Sequence, residues 1–538
     1  MKEPKNDISI DDAINKAPYL KSVVFRRGFI ITSERIILKD GYPFYSNWTE
    51  KKLSENYYLY THSDTTAYTL IMDNTMYFLI GHAYDPFQHI INETDILHVL
   101  AEKRMDGDTS FWDAESNLTG VFCLGYIRNG RVVYSTDATG MQVVYHGVID
   151  GKFFITSHSK LIGDIKGIKR TKYIDRLVSS RYWHYWGMYL PGDISPYDEL
   201  KRLVPNFYGE YGIDKKEISC HRYFPVSKIE EIDSEEEYLN TIHELGRIMS
   251  DTMKCISQKW VGKKVSISVT GGRDSMTTLA CSRDVYDKFH YFSYISNYDE
   301  SVDAEAAARI LKHLGLQHEV FQIPDGSWGG YTDLDSFKAV MKCNSACIGD
   351  NNENDLRKRR FFLDNPPCDI EVKSWVNEAG RGWEYNKYNK KRFPQYPTAS
   401  YWRAMHKVYV SPYLIHHTDR IFKEYLKKYY SKDVFDKLSW LELFFWEFTC
   451  SSSEAYFLTT EHRISYEITI PFNNRKYLAK MMTVPVEKRK NDCIPKDLIS
   501  YMEPRITETG VLVKDVSHTS FRAFIVRMYL EVFSRIRF

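Results

Sequence analysis

Residues 263–276, KKVSISVTGGRDSM, leave this chain few options. An apolar strand ends in hydroxyl-Gly-Gly-X-Asp-Ser and runs without a spacer into a helix. Two glycines let the backbone come close to a phosphate, and the helix N-terminus adds unpaired N–H groups and a partial positive charge. Thr270 and Ser275 supply hydroxyl donors, and Asp274 has the chemistry to hold a magnesium ion that neutralises pyrophosphate. No Gly-Lys-Ser/Thr ending follows, so this is not a Walker loop. The same residues also read as a plain turn followed by a helix cap.

The flanking sequence decides what such a turn can belong to. From about residue 236 a long helical pattern leads to the strand KKVSISVT, the turn and a second helix. A strand (HYFSYIS), an acidic helix (DAEAAARILKHLG) and a further strand (HEVFQI) complete the alternation of a parallel sheet. Upstream, short alternating runs and the hairpin signals Arg128-Asn129-Gly130 and Ile149-Asp150-Gly151 predict antiparallel sheets with a few helices, most simply a sandwich. A chain of 538 residues admits three or four ordinary domains by length. The change of rhythm favours two, 1–225 and 236–538, separated by the acidic stretch near 227–240.

Charge and cysteines exclude other classes. Lys+Arg 72 against Asp+Glu 71 leaves a net charge of +1, which predicts no nucleic-acid partner and no anionic membrane surface. The charged start MKEPKNDISIDD and the lack of a long apolar run predict neither signal peptide nor anchor, hence a cytoplasmic protein. Nine scattered cysteines are expected to be free thiols, and Cys343 with Cys347 lacks the second pair of a zinc site. The aromatic run LSWLELFFWEF predicts a buried helix. The stripe Phe521, Phe524, Ile525, Met528, Val532, Phe533, Ile536 predicts a terminal helix docked on its own domain.

The turn resembles the SGGxDS pyrophosphate loop of ATP-pyrophosphatase enzymes, with Thr270 in place of the first serine. The following HYFSYISNYDESVDAEAAARILKHLGLQHEVFQI is similar to the asparagine synthetase branch. Leu118-Thr119-Gly120-Val121-Phe122, Thr136-Asp137-Ala138-Thr139-Gly140 and Ser157-His158-Ser159-Lys160 resemble parts of its class II glutamine amidotransferase domain. Leu190-Pro191-Gly192-Asp193 and Arg202-Leu203-Val204-Pro205-Asn206 resemble the exit from that domain, and Ile470-Pro471-Phe472-Asn473-Asn474-Arg475 is like R-x-P-F-x-D. The resemblance implies an α/β protein: an Ntn-like αββα sandwich followed by an ATP-pyrophosphatase parallel-sheet domain with many helices. It implies ATP and Mg2+ as cofactors. Val269, Thr270, Gly271, Gly272, Arg273, Asp274 and Ser275 would surround pyrophosphate, and Ser296 would lie by adenine. Lys496 would neutralise charge in the transition states, with Lys488 and Lys490 as alternatives.

Three departures qualify that likeness. The amidotransferase class uses an N-terminal cysteine nucleophile, whereas this chain begins Met1-Lys2-Glu3 and its first cysteine is Cys123. Glutaminase activity is therefore not expected, as in β-lactam synthetases and lasso-peptide cyclases. Where the family reads G-E-G-A-D-E, this chain reads Val376-Asn377-Glu378-Ala379-Gly380-Arg381-Gly382. Glu378 keeps the glutamate, with metal binding by Asp274 and Glu378 and a catalytic role for Glu378 expected. Arginine or glycine replaces the aspartate. Asn377, Gly380 and Arg381 become phosphate-side candidates, Arg381 by bidentate contact. Arg273 stands at a position that is usually apolar. The expected reaction adenylates a carboxylate (amino acid, peptide or sugar acid) and couples it to an amine or ammonia, in a homodimer or with a biosynthetic partner. The alternative is a degenerate nucleotide-binding or scaffold protein.

Overall fold

The computed structural model describes residues 8–185, 189–324, 331–346, 353–390, 392–460, 462–511 and 520–536. Three sheets organise them. The first runs in the order Lys201–Arg202, Tyr145–Ile149, Lys152–Thr156, Phe29–Thr32, Tyr58–His62, Trp48–Lys52. The second runs Glu217–Arg222, Phe207–Gly212, Arg131–Thr136, Thr119–Arg128, Thr75–Tyr84, Ala67–Met72, and its pairs are antiparallel throughout.

Alternation of side chains along these strands builds the layers. Phe29, Ile31 and Leu59 of the first sheet meet Phe78, Ile80 and Cys123 of the second in one core. Leu79 and Leu124 point the other way, onto Ile96, Leu97 and Phe111 of the helices Glu93–Met105 and Asp108–Glu115. Ile30, Tyr60 and Phe154 meet Leu161 and Ile162 of the helix Ser159–Lys166 on the outer face of the first sheet. The result is an αββα sandwich. Its outer layer also takes Phe337, Val340 and Met341 from the helix Leu334–Asn344, which lies far downstream in sequence.

Ser234 caps the helix Glu235–Lys259 by accepting the N–H of Glu237, and three glutamates in the first turn favour that end of the helix dipole. This helix packs on the third sheet, whose order is Glu319–Gln322, His290–Ile295, Val265–Ser268, Ile370–Val372, Glu467–Thr469, every pair parallel. Parallel order with the crossover helices Arg273–Cys281 and Tyr298–His313 is the arrangement read from the sequence. The protein is α/β, a sandwich joined to a helix-rich parallel-sheet unit.

The aromatic run is buried as expected, with Trp440, Leu441, Phe444, Trp446 and Phe448 in the core, and it continues as a π-helical segment, Phe444–Glu454. The terminal helix docks on its own domain as expected, with Leu530 in the core, Phe533 stacked on Tyr409 and Arg403 donating to Phe533 O and Ile536 O. In the helix Ser520–Phe533 it is Ala523 and Leu530 that are buried, while Phe521, Phe524, Ile525, Met528 and Val532 face outward. The helix is apolar on more than one face, and of the stripe it is Phe533 that packs inward while most of the rest lies on the outer face. Among the described residues no helix is long and apolar enough to cross a membrane.

Candidate active site

In a parallel sheet the crevice outside the carboxyl ends of the strands is where ligands sit. Three segments meet there: Val269–Gly272 after Val265–Ser268, Ser296 after His290–Ile295, and Asn377–Gly382 beyond Ile370–Val372. The first is tied by its own hydroxyls. The N–H of Thr270 donates to Ser275 Oγ at 2.9 Å, and the N–H of Gly272 donates to Thr270 Oγ1 at 3.1 Å. Val269 is buried, and its N–H reaches Phe292 O at 2.8 Å. A Cβ on Gly271 would stand 3.2 Å from both the Ala306 Cβ and Asp303 Oδ1, so the small residue lets the turn press on the neighbouring helix.

Asp274 leads a chain of ion pairs across this crevice. Its two oxygens accept from Arg381 Nη1 at 2.8 and 2.6 Å, and Oδ1 also accepts from Asn377 Nδ2 at 2.6 Å. Arg381 continues to Asp492 through Nε at 2.9 Å and Nη2 at 2.7 Å, and Arg273 Nε lies 3.1 Å from the other oxygen of Asp492. The turn bearing Arg381 is held by two left-handed residues, Val376 (φ 66°) and Gly382 (φ 64°). Gly380 lets it approach the helix Arg475–Met482, since a Cβ there would fall 2.5 Å from Met481 Sδ.

Glu378 stands beside this chain. Its Oε2 is buried and makes no hydrogen bond. Burial first, and then the charge of Asp274, push its carboxyl up to about 7, against the opposing pull of Arg381. Glu454, at the end of the π-helical segment, also has a buried Oε2 without a hydrogen bond. Burial and the charges of Glu378 and Asp274 drive its carboxyl well upward. π-Helical turns frequently mark functional sites, and here one brings a second acid toward the first.

The structure thus brings together Thr270, Gly271, Gly272, Arg273, Asp274, Ser275, Asn377, Glu378, Gly380 and Arg381. Ser296 lies at the next strand end, where its N–H and Oγ both donate to Glu300 Oε2, at 2.7 and 2.5 Å. Lys496 is exposed on the helix Cys493–Met502, one turn from Asp492, and its Nζ donates to Asn491 O at 3.0 Å. Lys488 pairs with Glu235 at 2.6 Å and Lys490 with Glu487 at 2.7 Å. Asp492 and Glu454 were not singled out from sequence. Asp492 had a faint signal as an acid in a lysine-rich loop, and Glu454, after a serine run, had none.

Magnesium does not fit this donor set. Asp274 already has both oxygens on a guanidinium. The cation that the structure sets beside Asp274 is Arg381.

Two of the described cysteines lie in strands of the sandwich, and burial pushes the thiol of the half-buried Cys220 upward. Cys123 is fully buried in the strand Thr119–Arg128, and burial pushes its thiol far up. All eight described cysteines are unbridged. Cys347 lies outside the described residues.

The sequence matches no protein-family model and no curated protein. Solved structures similar in part include an allosteric regulatory enzyme of purine biosynthesis (10 % identity, TM-score 0.24, 48 % of this chain and 58 % of that one). Another is the glutamine phosphoribosylpyrophosphate amidotransferase of B. subtilis complexed with ADP and GMP (9 %, 0.23, 62 % and 90 %). A third is the glutamine-dependent NAD+ synthetase of Acinetobacter baumannii with ADP (14 %, 0.20, 43 % and 50 %). This chain therefore spans under two thirds of the first and third. At such scores the fold rests on the sheet order and layers described above.

Proposed function

We propose that the protein is an ATP-dependent amide-bond synthetase that releases AMP and pyrophosphate and makes no ammonia from glutamine. The supporting observation is the Thr270–Ser275 loop at the carboxyl edge of a parallel sheet, faced by Arg381 and Glu378. A substrate carboxylate oxygen attacks the α-phosphorus of ATP, and the bond to pyrophosphate breaks. An amine nitrogen then attacks the acyl carbon, the bond to AMP breaks, and the nitrogen yields a proton. The loop N–H groups, Thr270 and Ser275 hold the departing pyrophosphate, and Arg381 and Arg273 oppose its charge. A carboxylate poised near neutrality suits proton acceptance from the amine, which is the role given to Glu378. Ser296 stands on the adenine side and Lys496 at the rim.

The buried Cys123 argues against a glutaminase in the sandwich and for free ammonia or a substrate amine as the nitrogen source. The test is incubation of the full chain with ATP, ammonia and a panel of carboxylates including aspartate. AMP and pyrophosphate are expected in equal amounts with one class of acid, and Asp274→Ala is expected to abolish them. Failure to bind or cleave ATP with every acid overturns the reading. The scaffold alternative then gains, for which the closed Arg273–Asp492–Arg381–Asp274 chain already gives one reason.

A further inference from the structure

We propose that the guanidinium of Arg381 is the resident cation of this site, so that pyrophosphate and ATP bind here without a divalent metal; this rests on the ligase reading above. A carboxylate at the head of a phosphate-facing loop repels its ligand unless a cation stands between them. Here that cation belongs to the chain. Asp274 gives both oxygens to Arg381 and a further lone pair to Asn377.

A magnesium ion on the same carboxylate needs near-ideal octahedral geometry at about 2.0–2.1 Å. It would stand against a guanidinium nitrogen that is itself 2.6 Å from the shared oxygen, two like charges on one ligand atom. Arg381 is not free to leave. Its side chain is 6 % exposed and two of its nitrogens are fixed by Asp492, which sits in the left-handed region at φ 57°. Arginine keeps its charge at any working pH, so the cation is permanent and independent of metal supply.

All three of its nitrogens already face carboxylates, Nη1 on Asp274 and Nε with Nη2 on Asp492, so what it offers an arriving phosphate is its fixed charge. Arg273, on the outer oxygen of Asp492, places a second guanidinium at the same mouth. Two arginines and two aspartates balance, so an anion arriving at the loop meets no net negative charge from this chain of pairs.

The test is calorimetric binding of sodium pyrophosphate, and separately of ATP, to the full-length protein in EDTA and in magnesium. The expected result is dissociation constants within about threefold of each other, well under the tenfold that 1.4 kcal/mol represents. Arg381→Asp, which places a carboxylate beside Asp274, is expected to lose binding at least about tenfold in EDTA and regain it with magnesium. Circular dichroism of the variant confirms that it folds. Tight binding by the natural chain only in magnesium overturns this inference alone, as does metal-free binding that survives in Arg381→Asp. No binding in either buffer overturns the ligase reading together with it.

Discussion

Glu115→Ala is expected to lower the stability of the protein by about 3–5 kcal/mol, the range found when one partner of a buried ion pair is removed. Neither side chain of the Glu115–Arg475 pair is exposed. Arg475 Nη1 donates to both oxygens of Glu115 at 2.7 and 2.6 Å, its Nε to Asn206 Oδ1 at 2.9 Å, and its Nη2 to the carbonyls of Thr136 and Asp137 at 3.2 Å. Tyr223 OH donates to the second oxygen of Glu115 at 3.0 Å. One residue from the parallel-sheet unit is thus bonded to a helix, a strand end and a turn of the sandwich. Next to it Asn473 reaches Gly120 O and Asp137, and Asn474 reaches Asn117 O. Removing the carboxylate takes from the buried guanidinium its direct ion-pair partner and leaves only the farther charge of Asp137. The measurement is the urea midpoint of Glu115→Ala, of Arg475→Met, and of the double variant Glu115→Leu with Arg475→Met. The double variant is expected to lose less than the sum of the two singles, because an apolar pair leaves no orphaned charge. A loss below about 1 kcal/mol in Glu115→Ala, the scale of an exposed pair, would remove this hub from the account of stability.

The motif PFNNR shows where sequence reading stops. Its likeness to a family segment was legible, yet its work here is to join two units, because Glu115 lies 360 positions away in the chain. Features that depend on a few neighbouring residues were readable. Asn129 and Gly130, at φ 50° and 72°, and Asp150 and Gly151, at 51° and 71°, make the left-handed hairpin turns that their side chains favour. The strand, Gly-Gly turn and helix at Thr270–Ser275 follow from the same kind of local chemistry. The Asp274–Arg381 pair spans 107 positions and needed the fold to appear. Asp492 and Glu454 entered the site for the same reason: helix and π-helix geometry, not spacing, placed them. Docking of the terminal helix was legible, but which of its faces turns inward was not, since a helix apolar on more than one side gives periodicity no single answer.

Glu378→Gln is expected to stabilise the protein at alkaline pH while abolishing amide formation. In the folded chain the Glu378 carboxyl is held at about 7, raised from an ordinary 4.5 by burial and by the charge of Asp274. A raised acid binds its proton more tightly folded than unfolded. Its contribution to stability is therefore intact below about 4.5 and falls as pH rises toward about 7. Between pH 5 and 8 the natural chain should lose roughly 2 to 3 kcal/mol relative to Glu378→Gln, since each tenfold gain in proton affinity on folding is worth about 1.4 kcal/mol. Glu454 is driven upward as well, by burial and then by the charges of Glu378 and Asp274, so it opposes ionisation of Glu378 from the same side. Activity runs the other way. A base must be deprotonated to accept the amine proton, so kcat/KM for the coupling step should rise with pH through about 7 and then level. Arg381 tempers the penalty without cancelling it, being committed to Asp274 and Asp492 and making no bond to the orphaned Oε2. Denaturation of both proteins at pH 5, 6, 7 and 8, with the pH profile of AMP release beside it, measures both slopes. A stability difference that does not widen from pH 5 to pH 8 would remove Glu378 from the role of buried base. The site would then have to find its proton acceptor in the incoming amine's own solvent. A widening difference with a flat rate profile would keep the carboxyl's environment and take away its chemistry.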